Sequence, residues 1–287
     1  MAVKILTDST SYIANNILEE LDIRRISLSV KFEDESFKEI DIDNESFYDK
    51  MEKKGIPVSS QPSVGEMKEE MVKVVEKGDS LLCIFISSEM SGTYSSAHMV
   101  REMVLEEYPH AQIEIVDSRS NSMQLGYAAI VAARAAKEGK SLQEVKAEAE
   151  ANIKRSRFLF IPDTLKYLKK GGRIGTASAL LGSILKIIPI LTVEDAKTAV
   201  FTKVRTKKNA VAAMVEKMVS DISTYGIGEI TVHHIDCISE ASALVDMIKE
   251  RLGSKIDVQI CDIGPVIGLH VGPGAIGLVY YTERDMR

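Results

Sequence analysis

At 287 residues, 45% hydrophobic and 27% charged, the chain can bury the core of one large α/β domain or two ordinary ones, which excludes disordered and fibrous classes. A net charge of −6 removes the electrostatic footprint for a phosphate backbone, leaving "KYLKKGGR" as one short basic cluster, so no nucleic-acid partner is expected. No apolar run approaches about 18 residues, and "MAVKILTDSTS" turns polar too early for a secretory leader, so the expectation is a cytoplasmic protein without integral membrane association.

The first half reads as strand and helix in alternation. "VKILT" is an apolar strand ending at Asp8, and "SYIANNILEEL" follows with helical spacing at Ile13, Ile17, Leu18 and Leu21. "RISLSVKF" reads as one strand, and "NESFYDKMEKK" as a helix closed by Gly55. In "SVGEMKEEMVKVVEKG", Ser63 and Glu66 stand at the capping-box interval and Gly78 marks the stop. "SLLCIFI" is a buried strand, residues 91–108 a helix, "AQIEIVD" a strand and "NSMQLGYAAIVAARAAKEG" a helix stopped at Gly139. Ser141 and Glu144 form a second capping box, opening a helix to about Arg155. Continuous apolar strands alternating with helices mean a parallel sheet covered on both faces.

After "RSRFLFIPD" the rhythm changes. "KIIPILTVED" and "AVFTKVR" are strands joined by a short loop, which points to antiparallel pairing. "EITVHHID" with "SEASALVDMIKERLG", then "KIDVQICDIG", continue the alternation, and "GLVYYT" is a last strand after the glycine-rich loop "GLHVGPGAIG". The expected fold class is α/β with two domains, residues 1–156 with a parallel sheet between helices and residues 157–287 as an α+β domain with a mixed or antiparallel sheet.

Cys83, Cys237 and Cys261 are odd in number, widely spaced and set in apolar strand-like stretches, so they read as packing residues and not as a disulfide framework or zinc knuckle. The histidines 98, 110, 233, 234 and 270 show no metal-ligand spacing, and His233 and His234 are expected mid-strand, one facing the core and one the solvent.

Chemistry is expected beyond the carboxyl ends of the strands, where the N–H groups of following helices point outward. Four corners there are rich in hydroxyls: "TDSTS", "SSQPS", "SSEMSGT" and "DSRS", each at or near a predicted helix start. Helix caps account for any one of them. A nucleophilic serine needs a base within reach, and "SEMSG" lacks the first glycine of a nucleophile elbow, with His98 two turns down the predicted helix. No G-x-x-x-x-G-K-[ST] loop and no G-x-G-x-x-G turn follows a strand. Hydroxyls and helix N-termini without a base suit an anion that is held and not attacked, and a carboxylate is the natural guest. Asp8 and Asp117, at strand ends, read as structural caps.

"ILTDSTSYI", "SSQPS", "SSEMSGTYSSA", "VDSRSNSMQLG", "LKKGGRIG" and "GLHVGPGAIG" together resemble the DegV family of bacterial fatty-acid-binding proteins, nearly end to end. The resemblance implies a two-domain carrier that encloses a long-chain fatty acid in a tunnel near the domain junction, without catalytic residues, metal or cofactor. Such proteins, similar to the FakB component of fatty-acid kinase, present the carboxylate to a separate kinase subunit, and the acyl phosphate enters phospholipid synthesis. By motif, Ser59, Ser60, Ser91 and His270 would bind the carboxylate, and Arg173 would face the partner or its phosphate. The family more often carries Thr at the position of Ser59, so the hydroxyl is kept and the methyl lost. Two alternatives are an enzyme using Asp8, Asp117 or Ser91 for phosphotransfer or acyl transfer, and a lipid-sensing regulatory module. Turnover of ATP or an ester by the protein alone would mark the first; failure to support acyl-phosphate formation beside a fatty-acid kinase would mark the second.

Overall fold

A computed structural model describes residues 2–181 and 187–286. In chain order the first elements are β1 (Val3–Asp8), α1 (Asn15–Leu21), β2 (Ile23–Ile26), β3 (Ser29–Lys31), β4 (Ser36–Lys38), α2 (Asn44–Lys54) and β5 (Val58–Ser60). Then come α3 (Val64–Val75), β6 (Ser80–Phe85), α4 (Thr93–Glu107), β7 (Ile113–Asp117), α5 (Ser122–Lys137), α6 (Leu142–Lys154), β8 (Ser156–Ile161) and α7 (Lys166–Lys170). The last are β9 (Ile188–Glu194), β10 (Lys197–Val204), α8 (Lys207–Tyr225), β11 (Ile230–His234), α9 (Ile238–Leu252), β12 (Gln259–Asp262), α10 (Pro265–Val271) and β13 (Ile276–Tyr281). The chain divides into two units: Met1–Lys31, Ser36–Asp41 and Ser59–Ile153 form the first, and Phe32–Glu35, Ile42–Val58 and Lys154–Arg287 the second.

The first unit carries a four-stranded parallel sheet in the order β2-β1-β6-β7. All six residues of β6 are buried, as a strand covered on both faces requires. On one face Leu6, Leu81, Cys83 and Phe85 pack against Met67, Met71, Ala97 and Val100 of α3 and α4. The other face takes α5, whose Ala128, Ala129, Ala132 and Ala133 are buried and let the helix lie close to the sheet. Ser63 caps its helix, with Oγ accepting from Glu66 N at 3.2 Å, and the second capping box closes from both sides, Ser141 N donating to Glu144 Oε2 at 2.8 Å and Glu144 N to Ser141 Oγ at 3.4 Å. The strand order reverses direction between β1 and β6, so the corners after Asp8 and Phe85 flank the switch point where open α/β sheets admit ligands.

"RISLSVKF" is not one strand. β2 stays in the parallel sheet, while β3 pairs antiparallel with β4 in a small sheet ordered β4-β3-β5. The break has a local cause, because Leu28 N donates to Ser9 Oγ at 3.0 Å instead of continuing a ladder. Ser9 Oγ in turn donates to Glu39, which also accepts from Tyr12 OH at 2.7 Å, so the turn after β1 is pinned from the side.

The second unit carries a six-stranded mixed sheet, β10-β9-β8-β13-β11-β12, antiparallel except for β11 with β12. Leu159, Ile161, Val232, Leu278 and Tyr280 of one sheet face meet Met214, Met218, Leu244 and Ile248 of α8 and α9. Asp195 and Ala196 both take positive φ, 48° and 65°, which matches a two-residue hairpin turn between β9 and β10. Pro189 sits where β9 pairs with β10 but not with β8, so its missing N–H spares that ladder. Lys186, read from the sequence as the start of this strand, lies outside the described residues. Tyr48 OH of α2 donates to Ile263 O at 2.9 Å, holding the 42–58 excursion within the unit.

Several expectations change here. Both His233 and His234 are buried, because β11 is an interior strand with β13 and β12 as neighbours and helices over one face. Burial drives the His233 imidazole down to about 3, with His234 adding to the shift, and its ring stands edge-on to Phe158 at 5.3 Å. The first part of "GLHVGPGAIG" is not loop but the end of α10, which Pro265 opens and Gly272 closes. Cys237 is the N-cap residue of α9, not a strand residue. The sequence did not single out α8, although it supplies Met214 and Met218 to the core.

Candidate functional site

The first unit builds its hydroxyl corners from strand ends outward. Asp8 is fully buried; its Oδ1 accepts from Thr10 N at 2.9 Å and Thr10 Oγ1 at 2.5 Å, and its Oδ2 from Ile86 N at 2.7 Å. One carboxylate thus ties the end of β1 to the first residue past β6. Burial raises its pKa from 3.8 to about 6 despite these bonds. Asp117 does the same for β7: it accepts from Ser88 N at 3.2 Å, Ser88 Oγ at 2.6 Å and Arg119 N at 2.7 Å. Both aspartates are committed to holding backbone.

Past Ile86 the chain turns tightly, with Ser91 N donating to Ser87 O at 3.0 Å. Ser91 Oγ accepts from Thr93 N at 3.3 Å and exchanges a hydrogen bond with Thr93 Oγ1 at 2.9 Å, a local turn bond just before Gly92, the N-cap of α4. Where Thr93 is the donor in that pair, the Ser91 proton is left to give to an incoming anion. Ser59 and Ser60 lie on β5, not at a helix start; the helix after them is capped by Ser63. Ser59 is half-buried and Ser60 exposed.

The two serine segments are joined by a residue that the sequence did not single out. Gln61 Nε2 donates to Ser96 Oγ at 2.7 Å, and its Oε1 occupies the space that a Cβ on Gly92 would fill. "SSQPS" and "SGTYSS" therefore meet within the first unit. The available signal was the Gln61 to Pro62 step, which restricts the backbone of Gln61 to extended conformations.

In the second unit, "KKGGR" and the end of α10 come together. A Cβ on Gly171 would overlap His270 Nδ1, so glycine is what lets the imidazole lie over the α7 terminus. Arg173 donates to Gly171 O at 2.7 Å. Burial first, and the Arg173 guanidinium second, bring the His270 pKa down from 6.5 to about 4, so the ring is neutral at pH 7. Gly171 has φ −77° and ψ −6°, which alanine adopts freely, so a Gly171→Ala exchange acts through that contact alone. It is expected to push the imidazole toward water and return its pKa from about 4 toward 6.5, read by NMR titration of the histidine; an unmoved titration would contradict this.

A family model described as "Uncharacterised protein, DegV family" matches residues 2–283. A DegV domain-containing protein of Clostridium acetobutylicum is 64% identical over 287 residues, covering 100% of both chains. A solved structure described as DegV, a fatty-acid-binding protein from Bacillus subtilis, superposes with TM-score 0.86 at 32% identity, covering 99% of this chain and 100% of that one. A stearic-acid-binding protein from Eubacterium ventriosum gives TM-score 0.88 at 26% identity and 98% coverage of each.

Proposed function

The chain belongs to the DegV family, and on that footing we propose that it binds one long-chain fatty acid and presents its carboxylate to a separate ATP-dependent fatty-acid kinase subunit for acyl-phosphate formation. The observation that carries the reading is the full-length likeness to the Bacillus subtilis protein described as fatty-acid-binding. Ser59, Ser60, Ser91 and His270 bind the carboxylate, and Arg173 faces the partner or its phosphate. The tail lies in an enclosed tunnel, and the protein works in the cytoplasm without catalytic residues, metal or cofactor of its own.

The local chemistry supports holding over attack. Ser91 is engaged by Thr93, Asp8 and Asp117 are spent on backbone N–H groups, and His98 stands edge-on to Tyr94 at 4.7 Å. No helix among the described residues is long and apolar enough to cross a membrane. Burying roughly 15 methylenes at about 0.8 kcal/mol each gives some 12 kcal/mol gross, from which several kcal/mol of association and ordering cost are lost. The tail supplies retention and the hydroxyl corner supplies position.

Native mass spectrometry of the chain purified from bacteria is expected to show one retained long-chain acid; a lipid-free chain that also rejects oleate would overturn the reading. Ser91→Ala is expected to keep oleate affinity within about fivefold, as one hydrogen bond is worth about 1 kcal/mol or less net. Acyl-phosphate formation with a fatty-acid kinase and ATP should fall by about tenfold or more, since a misplaced reacting group costs more than a lost contact. Abolished retention with an intact fold would refute this division of labour.

A further inference from the structure

We propose that Gln61 is a positioning residue, a side-chain strut that holds Ser59, the inward-facing serine of β5, in fixed relation to Ser91 so that their hydroxyls converge on one carboxylate. The inference rests on the fatty-acid reading above and deepens it. Gln61 stands two residues after Ser59, and its side chain ends against the residue that follows Ser91. Its amide is bonded at 2.7 Å to Ser96 Oγ in the first turn of α4, and its carbonyl oxygen lies against the bare Cα of Gly92. β5 is only three residues long with exposed ends, so the ladder alone fixes it poorly. Pro62, buried and next in the chain, restricts the backbone of Gln61 and so aims the strut before any ligand arrives. Ser91 is fixed by Thr93, and Gln61 ties the β5 segment to the same helix start.

The chemistry predicts which ligands feel its loss. A carboxylate needs several donors in one geometry, while an apolar tail needs only enclosure. Gly92 has φ −73° and ψ −3°, so alanine there keeps its backbone and merely expels the glutamine. Gln61 is exposed, and its removal leaves no buried orphan group.

The test compares oleate with oleyl alcohol, which keeps the tail and lacks the carboxylate, on the full delipidated chain by calorimetric titration. Gln61→Ala and Gly92→Ala are each expected to weaken oleate by about threefold to fivefold, no more than the loss of one hydrogen bond to the carboxylate. Oleyl alcohol affinity should stay within about twofold, because tail burial is untouched. Adding Gly92→Ala to the Gln61→Ala chain is expected to cost nothing more, since the oxygen it would displace is gone. If both ligands weaken equally, or if oleate binds both variants like the parent, the strut has no positioning role and the fatty-acid reading stands. If the parent binds no oleate, the reading itself falls and the strut falls with it.

Discussion

Asp221→Ala is expected to remove about 2–3 kcal/mol from the stability of the chain, the cost of leaving the buried Tyr280 hydroxyl without its acceptor and two partly exposed cations without their counter-charge. Asp221 of α8 is 3% exposed, and three groups converge on it: Arg157 Nε at 2.9 Å, Tyr280 OH at 2.7 Å and Lys217 Nζ at 2.8 Å. Arg157 lies on β8 and Tyr280 opposite it on β13, so one carboxylate fastens a helix to two neighbouring strands. Burial pushes its pKa up, but the hydrogen bonds from Lys217 and Tyr280 and the Arg157 charge outweigh this and hold it below 3.8. A depressed carboxylate stabilises the fold above its unfolded pKa, and that contribution disappears as acid is added. Urea unfolding at pH 7 measures the loss. Tyr280→Phe, which deletes only the hydroxyl, should cost about 1 kcal/mol. A loss under about 1 kcal/mol for Asp221→Ala would show that this pivot does not hold helix to sheet.

Asp8 is expected to act in the opposite direction with pH. Its folded pKa is raised to about 6 from 3.8, so the folded state binds its proton more tightly than the unfolded chain does. Stability therefore falls as pH rises from about 3.8 to about 6 and is level above that, a change of about 3 kcal/mol for a shift of this size. Asp8→Asn has no such titration. Its amide nitrogen cannot accept from Ile86 N, so the variant starts lower, but the difference between the two chains should narrow between pH 4 and pH 6. Denaturant unfolding of both chains at successive pH values isolates this one group from the exposed carboxylates. A constant difference across that range would contradict the account. Because Ile86 precedes the turn bearing Ser91, the same series run with bound oleate would show whether the strand tie reaches the site.

What the sequence settled by itself was set by short-range physics. Period, caps and stop signals located most elements, because Ser63 with Glu66 and Ser141 with Glu144 satisfy helix ends within four residues of chain. The run "SLLCIFI" announced a strand buried on both faces for the same reason: its burial is written in its own side chains. The serines, His270 and Arg173 came from motifs. Only the tertiary structure decided the rest, since each remaining feature depends on a partner far along the chain. Ser9 takes the Leu28 N–H and splits an apparent strand, an interior position buries both His233 and His234, and Asp221 is acidic, buried and satisfied only because Arg157 and Tyr280 come to it. Gln61 is the functional case of the same rule. Nothing within its own segment says that its amide will meet Ser96 or that Gly92 will leave it room, and that meeting is made by the fold.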